Sequence, residues 1–154
     1  MTKTVPLDVR PKFYAALELA LDLWHITRSS TAVDPESLMI YLCVTEATMR
    51  PLVLGADSPP EALASIHPAE DYRGSISRLL VADRLGLPRE TVRRKIKAMV
   101  KTGLLMQDDE GRVRVVSRLE EPGVIAAPAE IHAAVLRYHE RLKSLGVSYP
   151  EAGG

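Results

Sequence analysis

The residues with the clearest chemical potential are the cations of the stretch GLPRETVRRKIK, residues 86–97. Five of these twelve residues are lysine or arginine, and Glu90 lies among them. The 154-residue chain has 20 basic and 20 acidic side chains and no net charge. Residues 73–118 nevertheless contain twelve basic and five acidic side chains, a net charge of +7. The rest of the chain contains eight basic and fifteen acidic side chains, a net charge of −7. This uneven distribution favours a polyanionic partner for the positive segment.

A helix over residues 88–102 would have one apolar face and one cationic face. At 100° per residue, Val92, Ile96 and Met99 gather on one side. The opposite side carries Glu90, Arg94, Lys97 and Lys101. The pattern therefore predicts a helix that packs on a core and presents positive charge to solvent.

The segments on either side of this helix extend the pattern. The preceding run ISRLLVADRLG predicts a helix that Ser77 caps and Gly86 ends. Gly103 ends the cationic helix, and the runs LLMQ and RVRVV then flank the turn DDEG, which predicts a β-hairpin. A helix, a short glycine-containing turn and a second, cationic helix make the helix-turn-helix pattern.

Residues 75–116, about a quarter of the chain, resemble the winged helix-turn-helix of bacterial transcription regulators. The core RETVRR is most similar to the recognition helix of the cyclic-AMP receptor family, whereas helices on both sides of the region resemble the layout of the multiple-antibiotic-resistance class of regulators. The resemblance implies a mainly α fold with a small β-hairpin, in which N- and C-terminal dimerisation helices flank the winged helix. It also implies a recognition helix at about 88–102 in the major groove of double-stranded DNA, and a wing at about 104–116.

The resemblance assigns roles to individual side chains. It implies that Arg89, Glu90 and Arg94 contact base edges, because an arginine fork matches O6 and N7 of guanine and a carboxylate can accept from N4 of cytosine. Contacts to phosphates are expected from Ser77, Thr91, Arg93, Lys97, Lys101, Arg112 and Arg114. Pro88 departs from the family, which usually has a capping serine at this position, because proline has no side-chain acceptor.

The flanking segments predict further helices at residues 11–27, at 35–50, shortly after Pro60 and at 128–145. The first and last have apolar faces suited to a homodimer interface. The residues expected to form it are Phe13, Leu17, Leu21, Trp24, Ile131, Val135, Tyr138 and Leu142. The resulting division is an N-terminal helical region at 1–60, a winged helix-turn-helix domain at 61–120 and a C-terminal helix with its tail at 121–154.

Other classes of function have little support in the sequence. No nucleophile–base set, glycine-rich phosphate loop or CxxC or HExxH motif is present, so we expect no enzymatic activity, no cofactor and no metal site. Glu46 reads as an isolated carboxylate, Glu70 as a solvated one, and Cys43 as a core thiol with a raised pKa. No apolar run of eighteen residues or signal-peptide core is present, and a single cysteine suits a reducing compartment, so we expect a cytoplasmic protein without membrane association.

A merely solvated face is one other interpretation of the cation-rich helix. Two further alternatives stay open at this point. The first is a winged-helix adaptor that binds a protein, not DNA, through the same cationic face. The second concerns regulation, since a small-molecule effector is compatible with the sequence. The aromatic and histidine residues that could line its pocket are Trp24, His25, Tyr41 and Tyr72.

Overall fold

The computed structural model describes residues 3–148. This part of the chain is mainly helical and contains one two-stranded antiparallel sheet. The elements in chain order are α1 (Val9–Ser30), α2 (Pro35–Leu54), α3 (Pro60–Ala64), a 3₁₀ turn (Glu70–Tyr72), α4 (Arg78–Leu85), α5 (Arg89–Lys101), β1 (Leu105–Gln107), β2 (Val113–Val115) and α6 (Pro122–Ser144). They form two compact units, one made of α1 and α6 and the other of Val33–Glu121.

The first unit is an antiparallel pair of long helices. Glu18 binds Arg141 at 2.7 Å and Asp22 binds Arg137 at 3.2 Å, so residue numbers rise along one helix as they fall along the other. The residues buried in this pair are Ala15, Ile26, Ala134 and Leu142.

The last helix begins six residues earlier than predicted, at Pro122 and not at Pro128. A proline at the first helical position loses no hydrogen bond, because the N–H groups of the first turn have no helical acceptor. Pro122 and Gly123 of the run EEPG therefore start α6, and Pro128 lies inside the helix. The helix ends where Gly146, at φ 74°, donates to the carbonyl of Lys143.

The second unit is built around α2. Asp34 caps this helix by accepting from the backbone N–H of Ser37 at 3.0 Å. The helix continues through Pro51 to Leu54, four residues beyond the predicted end. Its buried side joins the surrounding elements in one core, whose members are Ile40, Tyr41, Val44, Ile76, Val81, Ala82, Val92, Ile96, Met99, Leu105, Val113 and Val115.

The hairpin closes this core. Leu105 pairs with Val115 and Gln107 with Val113, and an isolated bridge from Ile76 extends the pairing on the other side of Val113. Inside the core, the hydroxyl of Thr48 on α2 accepts from the backbone N–H of Val115 at 3.0 Å. Because α2 carries so much of this core, it belongs with Val33–Glu121, which differs from the sequence-based boundary at residue 60.

Within the described part of the chain, one helix, α2, is long and apolar enough to cross a membrane by length and composition, with a mean hydropathy of 1.3. Its burial gives a different reason for this composition, because Ile40, Tyr41 and Val44 form the centre of the core. A core helix of a folded unit requires the same apolar residues.

Candidate nucleic-acid interface

The candidate site begins at the turn between α4 and α5. Ser77 caps α4 by accepting from the N–H of Leu80, and Gly86 ends it in the left-handed conformation at φ 64°. Only Leu87 and Pro88 then precede α5. Pro88 holds the N-cap position without a side-chain hydrogen bond, as its lack of an acceptor predicts. The turn is therefore short and fixed by backbone geometry.

The two faces predicted for α5 are both present. Val92, Ile96 and Met99 are at most 3% exposed. The cations Arg89, Arg94, Lys97 and Lys101 are exposed, and none has a carboxylate within ion-pair distance in the part of the chain that the structure describes. The apolar side fixes the helix to the unit, so the position of these four cations is set by the core.

Most other cations of the positive segment have carboxylate partners. Lys95, on the flank of α5, is only 16% exposed and binds Asp34 at 2.8 Å. The remaining pairs are Arg73 with Glu70, Arg84 with Glu46, Arg93 with Glu90, Arg114 with Glu70, and Arg118 with Glu121. The uncompensated positive charge is thus concentrated on the exposed side of α5.

The two arginines of the hairpin, both predicted to contact phosphates, have different surroundings. Arg114 is paired with Glu70 and its side chain is 20% exposed. Arg112 is exposed, and it donates to the hydroxyl and to the carbonyl oxygen of Ser75, each at 2.8 Å. Arg114 is therefore a half-buried link between β2 and the 3₁₀ turn, whereas Arg112 is open to solvent.

Glu90 is engaged within the helix and does not stand alone. Nε and Nη2 of Arg93 donate to its two carboxylate oxygens at 2.9 and 2.5 Å. The hydrogen bond from Arg93 lowers the pKa of Glu90 and in turn raises the pKa of Arg93. The sequence interpretation treated these residues separately, although a spacing of three on a helix is a signal for such a pair.

Glu46, predicted to be isolated, has partners, and Glu70, predicted to be a solvated loop carboxylate, is exposed but also paired. Glu46 binds Arg50 at 2.7 Å and Arg84 at 3.3 Å, and Glu70 binds both Arg73 and Arg114. Arg84 and Arg114 are remote from these acids in sequence, so the pairs depend on the fold. No group of three or more potential metal ligands occurs within residues 3–148.

Cys43 agrees with its prediction. The thiol is half-buried beside the core, and burial is the main cause that raises its pKa. A raised pKa keeps the thiol protonated and unreactive at neutral pH.

The residues predicted to form a dimer interface fall into two groups. Phe13, Leu17, Leu21 and Trp24 lie on the exposed side of α1, with exposures of 66%, 47%, 67% and 36%. On α6, Leu142 is buried and Ile131, Val135 and Tyr138 are half-buried within the single chain. The α6 residues already contribute to packing of the helix pair, whereas the α1 residues are uncovered.

The four residues considered for an effector pocket do not share one unit. Trp24 and His25 belong to α1, and both are exposed. Tyr41 is buried in the core of the other unit, and Tyr72 lies in its 3₁₀ turn. Tyr41 is accounted for by core packing, and the effector stays a prediction.

Comparison of the chain with protein-family models, curated proteins and solved structures finds no match.

Proposed function

We propose that the chain is a sequence-specific DNA-binding transcriptional regulator of winged-helix type, acting as a homodimer in the cytoplasm. In this proposal α4 and α5 form the helix-turn-helix, and α5 enters the major groove of double-stranded DNA. The hairpin of β1 and β2 is the wing. The thirteen residues of α5 make a helix about 20 Å long. The major groove of B-DNA is about 12 Å wide and admits an α-helix.

The observation that carries this proposal is the set of exposed cations on α5 that have no carboxylate partner among residues 3–148. An ordinary surface helix also combines an apolar side with a charged side, but its exposed charges are commonly of both signs and paired along the helix. Here Val92 and Ile96 fix the helix while Lys97 and Lys101 point away from the core. Such a rigid cationic surface suits phosphates, which fix the position of a protein on DNA.

The homodimer is supported by the uncovered apolar side of α1. Contiguous exposed apolar residues on a folded protein mark interaction surfaces. A two-fold dimer would place two copies of α5 about 34 Å apart, one turn of DNA, so that each reads one half-site. In this arrangement the helices of the first unit set the half-site spacing.

The test is the salt dependence of binding to a fluorescently labelled duplex, measured by anisotropy from about 50 to 200 mM salt. Each phosphate contact contributes about −0.9 to the slope of log affinity against log salt concentration. Replacing Lys97 and Lys101 by alanine should therefore reduce the slope by about 1.8 for each bound protomer. Lys143→Ala, which removes one exposed positive charge from α6, is the control and should leave the slope unchanged.

Absence of duplex binding at about 50 mM salt, where phosphate contacts are strongest, would contradict the proposal. The adaptor alternative predicts this result. In that case the exposed side of α5 should be tested for binding to a protein partner. A slope that is unaffected by the Lys97 and Lys101 substitutions would place the DNA contact on a different surface.

A further inference from the structure

The ion pair between Glu90 and Arg93 changes the roles that these residues can have on DNA. Both carboxylate oxygens of Glu90 accept from Arg93, one from Nε and the other from Nη2. Each carboxylate oxygen keeps a second lone pair, but the guanidinium already satisfies much of the carboxylate's charge, so Glu90 is a weaker acceptor for a neutral N–H of cytosine. The arrangement therefore disfavours direct reading of cytosine by Glu90.

The same pair leaves part of the Arg93 guanidinium available. A guanidinium has five N–H groups, and Glu90 takes one from Nε and one from Nη2. Both N–H groups of Nη1 and one of Nη2 remain. Two of these point in parallel from the end of the guanidinium, which is the geometry that matches O6 and N7 of guanine.

The pair also moves the charge of Arg93 toward the exposed side of α5. On a helical wheel at 100° per residue, the outward direction is the one opposite the buried residues of α5. Glu90 lies about 25° from this outward direction, and Arg93 lies about 85° from it. By binding Glu90, the Arg93 side chain leans from the flank toward that outward direction. Both side chains are solvent-accessible, at 49% for Arg93 and 72% for Glu90, so a duplex can reach them.

We propose that Arg93 reads a guanine in the major groove, and that Glu90 is the positioning residue that orients its guanidinium. This inference rests on the proposed function and specifies which side chains of α5 read sequence. It replaces the phosphate contact assigned to Arg93 and the direct base contact assigned to Glu90. Because Glu90 holds the Arg93 guanidinium in place before binding, Arg93 loses less rotamer freedom when the complex forms.

The experiment starts from duplexes selected by the wild-type protein out of a randomised pool. Dissociation constants are then measured for the selected site and for every single base-pair change in it. The variants are Arg93→Ala, Glu90→Gln, Glu90→Ala and the Glu90→Ala/Arg93→Ala double variant. Lys97→Ala is the matched control for loss of one charge from the same helix face.

We expect the wild type to prefer one G·C pair in each half-site by roughly 5- to 150-fold, the range of a bidentate arginine–guanine contact. Arg93→Ala should abolish the preference at this pair, and both Glu90 variants should weaken it at the same pair. The double variant should discriminate no worse than Arg93→Ala alone, because Glu90 acts through Arg93. Lys97→Ala should weaken binding to all duplexes by the same factor.

Three outcomes would overturn the inference. Arg93→Ala could weaken all duplexes equally, as a phosphate contact would. Glu90 variants could change the preference at a different base pair, as a direct acceptor would. The wild type could also bind duplexes without sequence preference. In the first two cases the proposed function stands. Binding without sequence preference would also contradict its sequence specificity, and a wild type that binds no duplex at about 50 mM salt would overturn the proposed function altogether.

Discussion

At the scale of single residues, Asp34 connects the cap of one helix to the cationic helix. Its Oδ1 accepts from the N–H of Ser37 at 3.0 Å and from Nζ of Lys95 at 2.8 Å, while Oδ2 accepts from the Ser37 hydroxyl. The hydrogen bond from Lys95 is the main cause that holds the pKa of Asp34 far below its usual range. One carboxylate thus fixes both the start of α2 and the flank of α5.

This arrangement predicts a specific acid sensitivity. Because the pKa of Asp34 is lowered by folding, its stabilisation is complete above the usual pKa near 4 and is lost as the pH falls. Asp34→Asn keeps a capping oxygen but not the charge, so it should be more stable than Asp34→Ala by about 1 kcal/mol at pH 7. Urea unfolding of both variants should also show a smaller loss of stability between pH 6 and pH 3 than the wild type.

The matched control is Asp71→Asn, since Asp71 is an exposed acid in the same unit. It should reproduce the wild-type decline in stability on acidification. If Asp34→Asn declines as steeply as the wild type, the charge of Asp34 has no role in the stability of the unit.

At the scale of elements, Gly74 determines how closely the segment before α4 approaches α2. Its N–H donates to the carbonyl of Thr48 at 2.9 Å. Pro51 has no N–H, so it cannot donate to the carbonyl of Ala47 as a helical residue in that position normally would. A Cβ at residue 74 would lie 2.2 Å from this carbonyl oxygen and 3.1 Å from the Pro51 ring.

Gly74→Ala should therefore lower the free energy of unfolding by about 1–3 kcal/mol, the usual cost of overpacking. The measurement is urea unfolding followed by circular dichroism. Gly123→Ala is the control, because a Cβ at Gly123, in the first turn of α6, would meet nothing within 4 Å. It should be neutral or stabilising by up to about 1 kcal/mol. Equal effects of the two substitutions would show that the close approach at Gly74 is relaxed without cost.

The elements that the sequence predicted well are those with local signals at both ends. Ser77 and Gly86 bound α4, and Gly103 follows α5 at φ 81°, because caps and left-handed glycines act within a few residues. The hairpin around DDEG was predicted for the same reason, and its strands were found at Leu105–Gln107 and Val113–Val115.

The misplaced ends involve prolines whose effect depends on position. Pro51 was taken as the end of α2 and lies within it, whereas Pro122 was taken as part of a connector and starts α6. A proline in a first turn and one in a loop look alike in sequence.

The features of the candidate site also separate into those with a local sequence signal and those without one. Its unpaired cations were predicted from helical periodicity, but the partners of Lys95 and Arg114 lie 61 and 44 residues away and depend on the fold.

At the scale of the whole molecule, the two sides of α1 have different surroundings. Ala15 and Ile26 are buried on the side that faces α6. Phe13, Leu17 and Leu21 lie on the opposite side and are 47–67% exposed. A helix that is apolar on both sides needs a second partner surface, and the proposed homodimer supplies it.

Charges placed on this surface should separate the two protomers. Leu17→Glu combined with Leu21→Glu places two charges in the proposed interface and should shift the protein from twice 16.9 kDa to 16.9 kDa in sedimentation equilibrium. Leu54→Glu is the control, because Leu54 is 77% exposed but lies at the end of α2 in the other unit. It should leave the mass unchanged. A wild type that sediments as a monomer at all concentrations would contradict the homodimer.

Oligomeric state and DNA binding should then be coupled through half-site spacing. Two copies of α5 about one DNA turn apart require half-sites on the same side of the duplex. Inserting five base pairs between the half-sites turns one of them to the opposite side and should weaken binding of the wild type and of Leu54→Glu. The Leu17→Glu/Leu21→Glu variant should bind both duplexes with the same low affinity, because each protomer then reads one half-site alone. If this variant kept the spacing preference of the wild type, a surface other than α1 would hold the two protomers together.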